Sequence, residues 1–478
     1  MIFSSIHFLI FFVVVLSLYY FVLNERTKPQ NVLLLVASYV FYAWVNWKIL
    51  PLLAATTVIF YGLGIAAFEA KKDKQKTFFT AMGIVFGIGT LLYFKYFNFF
   101  ISSFKDLFEL FGIQTNLHTF KIIVPVGISF YTFRLLSYII DIQREEIEPT
   151  RNIIDFAAYV AFFPCILSGP IDRPATLIPQ LQSKRVFNYS LAVDGLRQFL
   201  WGLFKKIVIA DNCATYVNHV FDNYHDQTGS TLLLAAVFYS LQLYADFSGY
   251  TDMAIGVSKI LGFRVTKNFD YPFFSQNIAE FWRKWHISLT SWLTDYVFMP
   301  LNFTWRNWRK WGMILAIIVN FVICGLWHGD NWTYVLWGFY NGILFIPLIL
   351  SGAMFNQKKI ETYKWGFPKP RILLKILLTF GLFTIGLVIV RADSIGQALE
   401  YFRGIIIGSW FFIEPGWRQI TCFVAVMLMA EWIQRNKQHG LDLSEIDSHI
   451  VKFAIYYVLI AAIFIFGRTA NVFIYFQF

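Results

Sequence analysis

Uninterrupted apolar runs recur along this 478-residue chain, and several of them approach twenty residues. A helix needs about 20 apolar residues to cross the hydrocarbon of a bilayer. Inside lipid every backbone N–H and C=O must find its partner within the protein, so a chain of this kind has to be helical there. Clear runs cover residues 3–23, 31–47, 50–68, 78–98, 231–260, 312–328, 332–352, 372–391 and 451–467. More polar or broken candidates are 122–141, 154–169, 195–215 and 418–432. The pattern predicts an all-α polytopic membrane protein with roughly 11–13 transmembrane or re-entrant helices. Non-helical backbone at membrane depth is tolerated only where protein or a water cavity covers it, so the cluster of imperfect spans points to an internal cavity.

Composition excludes the soluble classes. The chain is 57% hydrophobic and 14% charged, against about 25% charged in soluble domains. The net charge of +11 would suggest nucleic acid in a soluble chain. Here the basic residues fall in short loops between apolar runs, where they set topology and attract anionic lipid. A minority of them would also suit a funnel for a phosphorylated cytosolic substrate. Cys165, Cys213, Cys324 and Cys422 lie far apart with no CxxC or CxxxH spacing, so neither a disulfide framework nor a zinc site is expected. The first run, Ile2 to Leu23, lacks a basic n-region and a small-residue cleavage site and reads as a membrane helix rather than a removed signal. The basic loops 24–28 and 71–76 fall on one side if the first three spans each cross once. The positive-inside rule makes that side cytoplasmic and the N-terminus extracytoplasmic.

From Phe263 to Arg309 no run is long enough to span. Within it, residues 276–296 place Ile278, Phe281, Trp282, Trp285, Leu289 and Trp292 at helical spacing, which predicts an amphipathic helix at or dipping into the interface. No soluble domain, linker or internal repeat stands out. The chain reads as a single membrane domain, 1–478, with N-terminal membrane helices over 1–120, core segments over 121–345 and C-terminal membrane helices over 346–478.

Ionisable groups at membrane depth are costly, and four places carry them. His328 ends one apolar run within Cys324-Gly-Leu-Trp-His-Gly-Asp-Asn-Trp332. A histidine titrating near neutrality can take a proton from a hydroxyl and return it to a leaving group; the bland alternative is a structural histidine at a helix end. His286 would share a helix face with Trp282 and Thr290, as a second catalytic or positioning group or as a packed interfacial side chain. Arg283 and Lys284 beside it would meet phosphates or lipid head groups. Asp246 and Asp252 sit inside a long run and must be paired or face a cavity, either orienting a histidine or forming buried ion pairs. Phe163-Pro-Cys-Ile-Leu-Ser-Gly-Pro-Ile-Asp-Arg173 reads as a structural turn lining the cavity. A GxSxG elbow, a Walker loop, a dinucleotide fingerprint and a metal motif are all missing.

In order along the chain stand Pro125-Val-Gly-Ile-Ser-Phe-Tyr-Thr-Phe133, Ser168-Gly-Pro170, Gly202-Leu-Phe-Lys-Lys206 with Ala210-Asp-Asn212, and Tyr244-Ala-Asp-Phe-Ser-Gly-Tyr-Thr-Asp-Met-Ala-Ile-Gly256. Phe281-Trp-Arg-Lys-Trp-His-Ile-Ser-Leu289, Gly325-Leu-Trp-His-Gly329 and Phe473-Ile-Tyr-Phe-Gln-Phe478 follow. Together they resemble the membrane-bound O-acyltransferase family, in the branch of the alginate O-acetyltransferase membrane subunit. The resemblance implies helices around a central funnel open to both sides, with His328 as the catalytic histidine near its neck and His286 as the second functional histidine. It also implies acetyl-CoA as donor substrate with no bound cofactor or metal, and an acetyl group leaving on the far side. The receiver would be a separate SGNH-type subunit that modifies a polysaccharide, in a bacterial inner membrane. Trp282, Arg283, Lys284, Asp246 and Asn341 are expected along the funnel. Asn341 stands where relatives often carry histidine; an amide cannot shuttle a proton, so its part would be positioning. Rival readings are D-alanyl transfer to teichoic acid on the same fold, a transporter without acyl chemistry, and a mere anchor for the secreted transferase.

Overall fold

A computed structural model describes residues 1–355, 360–364 and 366–468. The motif Phe473–Phe478 lies outside the described residues. The described chain is helical, and the one extended pairing among the described residues is an isolated bridge between Thr362 and Pro368. Seven helical segments among the described residues are long and apolar enough to cross a membrane: Thr27–Glu69, Asp73–Leu110, Gly229–Ile260, Arg306–His328, Trp332–Leu350, Pro370–Arg391 and His449–Phe466. The first is really two helices, Thr27–Asn46 and Leu50–Glu69, joined by a 3-10 turn at Trp47–Ile49.

The more polar candidates are helical but short or broken. Residues 122–141 become the helix Ile128–Gln143, and 418–432 become Trp417–Ile433. Residues 195–215 run through two helices, Tyr189–Phe204 and Asp211–Asp222, with a π-helical turn Lys205–Ala210 between them. The 154–169 candidate shrinks to a nine-residue helix, Ile153–Ala161. Pro164 and Pro170 each lack an N–H and cannot continue it.

Two compact units make up the chain: Met1–Gly195 with Ala254–Thr266, and Leu196–Met253 with Lys267–Phe478. In the first, the broken Phe163–Arg173 segment is buried, and fully buried Arg134 supplies what the prolines removed. Its guanidinium donates to the carbonyls of Tyr159, Val160 and Pro170 at 3.3, 3.4 and 2.9 Å. Asp172 accepts from the Thr266 N–H and hydroxyl at 2.8 and 2.7 Å. This is the structural turn expected from the sequence, with its orphan carbonyls satisfied as burial requires.

The second unit holds both histidines. The helix Arg309–His328 ends on His328, the chain turns through Gly329 and Asp330, and Asn331 caps the next helix, Trp332–Leu344, by accepting from the Thr333 N–H at 3.0 Å. Asn331 Nδ2 also donates to the Asp393 carbonyl at 2.9 Å. A capped three-residue connection of this kind fixes where the last side chain of the first helix stands.

Candidate functional site

Residues 276–296 do not form one amphipathic helix. They fold as two short ones, Ile278–Lys284 and Ile287–Leu293, and the break falls on His286 in a left-handed conformation with φ 46°. A non-glycine residue held there is uncommon and persists only where its surroundings enforce it. Buried Asn268 is the enforcer: its carbonyl accepts from the Ile287 N–H at 2.9 Å and its side-chain oxygen from the Ser288 N–H at 3.2 Å. The His286 carbonyl in turn accepts from the Leu289 and Thr290 N–H groups at 3.0 and 2.9 Å, starting the second helix. Trp282 and His286 therefore do not share a helix face, contrary to the sequence expectation, because the 3.6-residue register stops between them.

The imidazole of His286 is buried, edge-on to Phe247 with ring centroids 4.7 Å apart. Burial, and then neighbouring His328, push its titration well below the ordinary histidine range. His286 is thus a neutral imidazole at physiological pH. Trp327 is common to both histidines, 5.9 Å from the His286 ring and 4.9 Å from that of His328. Trp337 meets His328 edge-on at 5.2 Å and also packs on Trp282 at 5.7 Å. His328 is only half-buried, and it lines a cavity of ≈ 20 Å³ with Tyr334, Trp285, Trp337, Phe383 and Leu243 among its walls. That is room for about one water-sized group. Apart from His328 and the Tyr334 hydroxyl the wall is aromatic and aliphatic. A reactive carbonyl there would meet one titratable imidazole in a low-dielectric setting where a polar contact counts for more than in water.

Gly329 has a steric reason. A Cβ on it would stand 2.2 Å from the Tyr334 ring, so glycine lets that ring close against the residue following His328. Sequence reading missed Tyr334, Asn268 and the Trp285–Phe383 wall, since each reaches the site by tertiary packing. The spacing of Gly329 and Tyr334 about the turn was the one available hint.

The other expected funnel residues are placed variously. Arg283 is exposed and donates to the Met354 carbonyl at 3.1 Å, and Lys284 pairs with Glu280 at 2.8 Å. Asn341 is buried and its amide donates to the Trp337 carbonyl at 2.8 Å, one turn back on its own helix and behind the Trp337 ring that touches His328. Asp246 lies in a buried ionic cluster built on the π turn. Lys206 pairs with Asp246 and Asp211, both at 2.8 Å. Lys205 pairs with Asp252 at 2.7 Å and Glu431 at 3.6 Å, and donates to Ser248 at 2.8 Å; Tyr244 donates to Glu431 at 2.7 Å. Gly202 permits this close packing, because a Cβ there would stand 2.5 Å from the Gly249 carbonyl. Of the two sequence readings of the aspartates, buried ion pairing is the one seen. No group of histidine, cysteine and carboxylate side chains among the described residues is arranged to hold a metal ion.

Comparison with known proteins places these residues in a family context. The chain matches the MBOAT, membrane-bound O-acyltransferase family over residues 39–385. It is 38% identical over 429 residues to a probable alginate O-acetylase of Pseudomonas aeruginosa, covering 88% of this chain and 78% of that one. A peptidoglycan O-acetyltransferase of Helicobacter pylori is 28% identical over 533 residues, covering 100% of this chain and 98% of its own. A teichoic acid D-alanyltransferase of Bacillus subtilis is 32% identical over 268 residues, 53% of this chain and 65% of that protein. With a match spanning both histidines and most of the chain, this multi-pass membrane protein belongs to the membrane-bound O-acyltransferase family and is an O-acyltransferase.

Proposed function

We propose that the protein takes an acetyl group from cytosolic acetyl-CoA and delivers it across the membrane for O-acetylation of an extracytoplasmic polysaccharide, an alginate-like exopolysaccharide or peptidoglycan. The observation that carries this reading is His328 at the wall of a cavity whose other lining is almost wholly apolar. In the proposed step His328 removes the proton of an acceptor hydroxyl as its oxygen attacks the thioester carbonyl. The C–S bond then breaks, and the proton passes to the departing CoA thiolate. General-base help of this kind is worth about 10²–10⁴ in rate. His286, neutral and packed against Trp327, orients the site. Asn341 positions Trp337, while Trp282, Arg283, Lys284 and Asp246 support the surrounding frame rather than move protons. The whole chain acts as one membrane domain, a reading supported by a family match that runs through both compact units.

The acceptor is an SGNH-type extracytoplasmic subunit that passes acetyl to the polymer, the membrane is a bacterial inner membrane, and the N-terminus lies outside. The relatives named for alginate and peptidoglycan acetylation support an acetyl donor and a polymer acceptor. The test uses membranes containing the protein, given radiolabelled acetyl-CoA or a D-alanyl carrier protein. Acetyl transfer lost in His328→Ala, with the variant accumulating normally, is expected. Transfer from the D-alanyl carrier alone would replace acetyl by D-alanyl, and full activity in His328→Ala would remove His328 from its role.

A further inference from the structure

The first compact unit carries an open groove of ≈ 590 Å³ along the start of the helix Thr27–Asn46, lined by Leu23, Lys28, Pro29, Val32, Leu33 and Val36. Its floor is aliphatic, and Val32 and Val36 are 42% and 54% exposed. The helix belongs to a segment long and apolar enough to cross a membrane. Eight residues separate Lys28 from Val36, a run of about 12 Å at 1.5 Å per residue, which suits an acyl chain laid along the helix.

Lys28 lines the groove, and Arg26 stands two residues before it as the N-cap residue of the same helix. Lys28 and Arg26 are both exposed, and neither side chain has a hydrogen bond or ion pair among the described residues. The acid nearest in sequence, Glu25, is taken by Lys184 at 2.5 Å, and the first turn of the helix contains no acidic residue. Glu25, Arg26, Lys28 and Lys184 together leave a local surplus of positive charge at the Lys28 end of this aliphatic lining. A zwitterionic headgroup brings its own cation to that surplus, whereas an anionic one neutralises it.

We propose that this groove is a binding site for one anionic glycerophospholipid, with its phosphate at Arg26 and Lys28 and one acyl chain along Pro29, Val32, Leu33 and Val36. Lipid binding there does not rest on the acyl-transfer chemistry. Removing one such cation near a membrane surface weakens anionic-lipid attachment about 5-fold. The test is native mass spectrometry of the full chain released from nanodiscs of equal phosphatidylglycerol and phosphatidylcholine. One phosphatidylglycerol should be retained in preference to phosphatidylcholine, with retention reduced several-fold in Arg26→Gln and Lys28→Gln. Val32→Trp, which fills the trough and leaves both cations, should reduce it too. Equal retention of the two lipids, or selective retention unchanged in all three variants, would overturn the site. So would release of the protein as a lipid-free pair of chains, which would assign the groove to a second copy. Soluble glycerol phosphate competing as well as the lipid would show a bare anion site and defeat the acyl-chain part. Unchanged gel-filtration behaviour of the variants guards against misfolding.

Discussion

The second unit contains two polar centres, and they are built on opposite plans. In the ionic cluster two lysines and four carboxylates contact one another at 2.7–3.6 Å, with Tyr244 and Ser248 satisfying further atoms. In the histidine site two imidazoles stand among Trp327, Trp337, Phe247 and Trp285, and one of them borders a cavity. The first arrangement uses its polarity internally and ties helices together. The second keeps a titratable group beside space that a reactant can enter. Buried charge in a membrane protein therefore does not mark a candidate reactive place by itself; a titratable group with room beside it is the better candidate.

Three substitutions sharpen that contrast. Lys205→Met should be the most damaging to the fold, because it strands Asp252 and Glu431 without their cation. Breaking a buried pair from one side costs about 3–5 kcal/mol, visible as poor accumulation and a much lowered melting temperature in detergent. A stable but inactive Lys205→Met protein would instead make the cluster part of the chemistry. Gly329→Ala should cost about 1–3 kcal/mol through overpacking against Tyr334. It should depress acyl transfer more than stability, since the displaced ring borders the cavity. Equal activity per folded molecule would show that the Tyr334 contact is irrelevant to His328.

The smallest effect is a pH dependence. His286 is held neutral by burial and by His328, so its folded-state pKa lies below its unfolded one. Above about pH 6.5, the unfolded histidine value, neither state gains a proton and this contribution to stability is fully present. Below it the unfolded chain binds a proton that the folded site does not. Stability then falls with pH by at most about 1.4 kcal/mol per unit until the folded value is reached. Melting temperatures compared from pH 7.5 to 5.5 should fall more steeply in the wild type than in His286→Gln. Parallel slopes would mean that His286 takes up a proton in the folded protein as readily as in the unfolded one.

The membrane class and the helical fold were legible in the sequence, and His328 was legible as a candidate. Long apolar runs admit one backbone solution in lipid, and a histidine at the junction of two such runs could be read either as a proton carrier or as a structural helix end. The break at His286 was not legible, because residues 276–296 keep helical periodicity. Asn268, 20 residues before Ser288, overrides that periodicity with two hydrogen bonds. Nor could spacing settle whether Asp246 served a funnel or an ion pair, although Lys205 and Lys206 stood inside an apolar candidate span and needed carboxylates somewhere.

Sequence by itself determined that the long apolar runs fold as helices and which residues are too costly to bury alone, since both follow from local hydropathy and charge. Tertiary structure alone decided which of those costly residues neutralise one another and which is left beside a cavity. Pairing depends on distances between helices remote in sequence, and a cavity is defined by the side chains that fail to fill it.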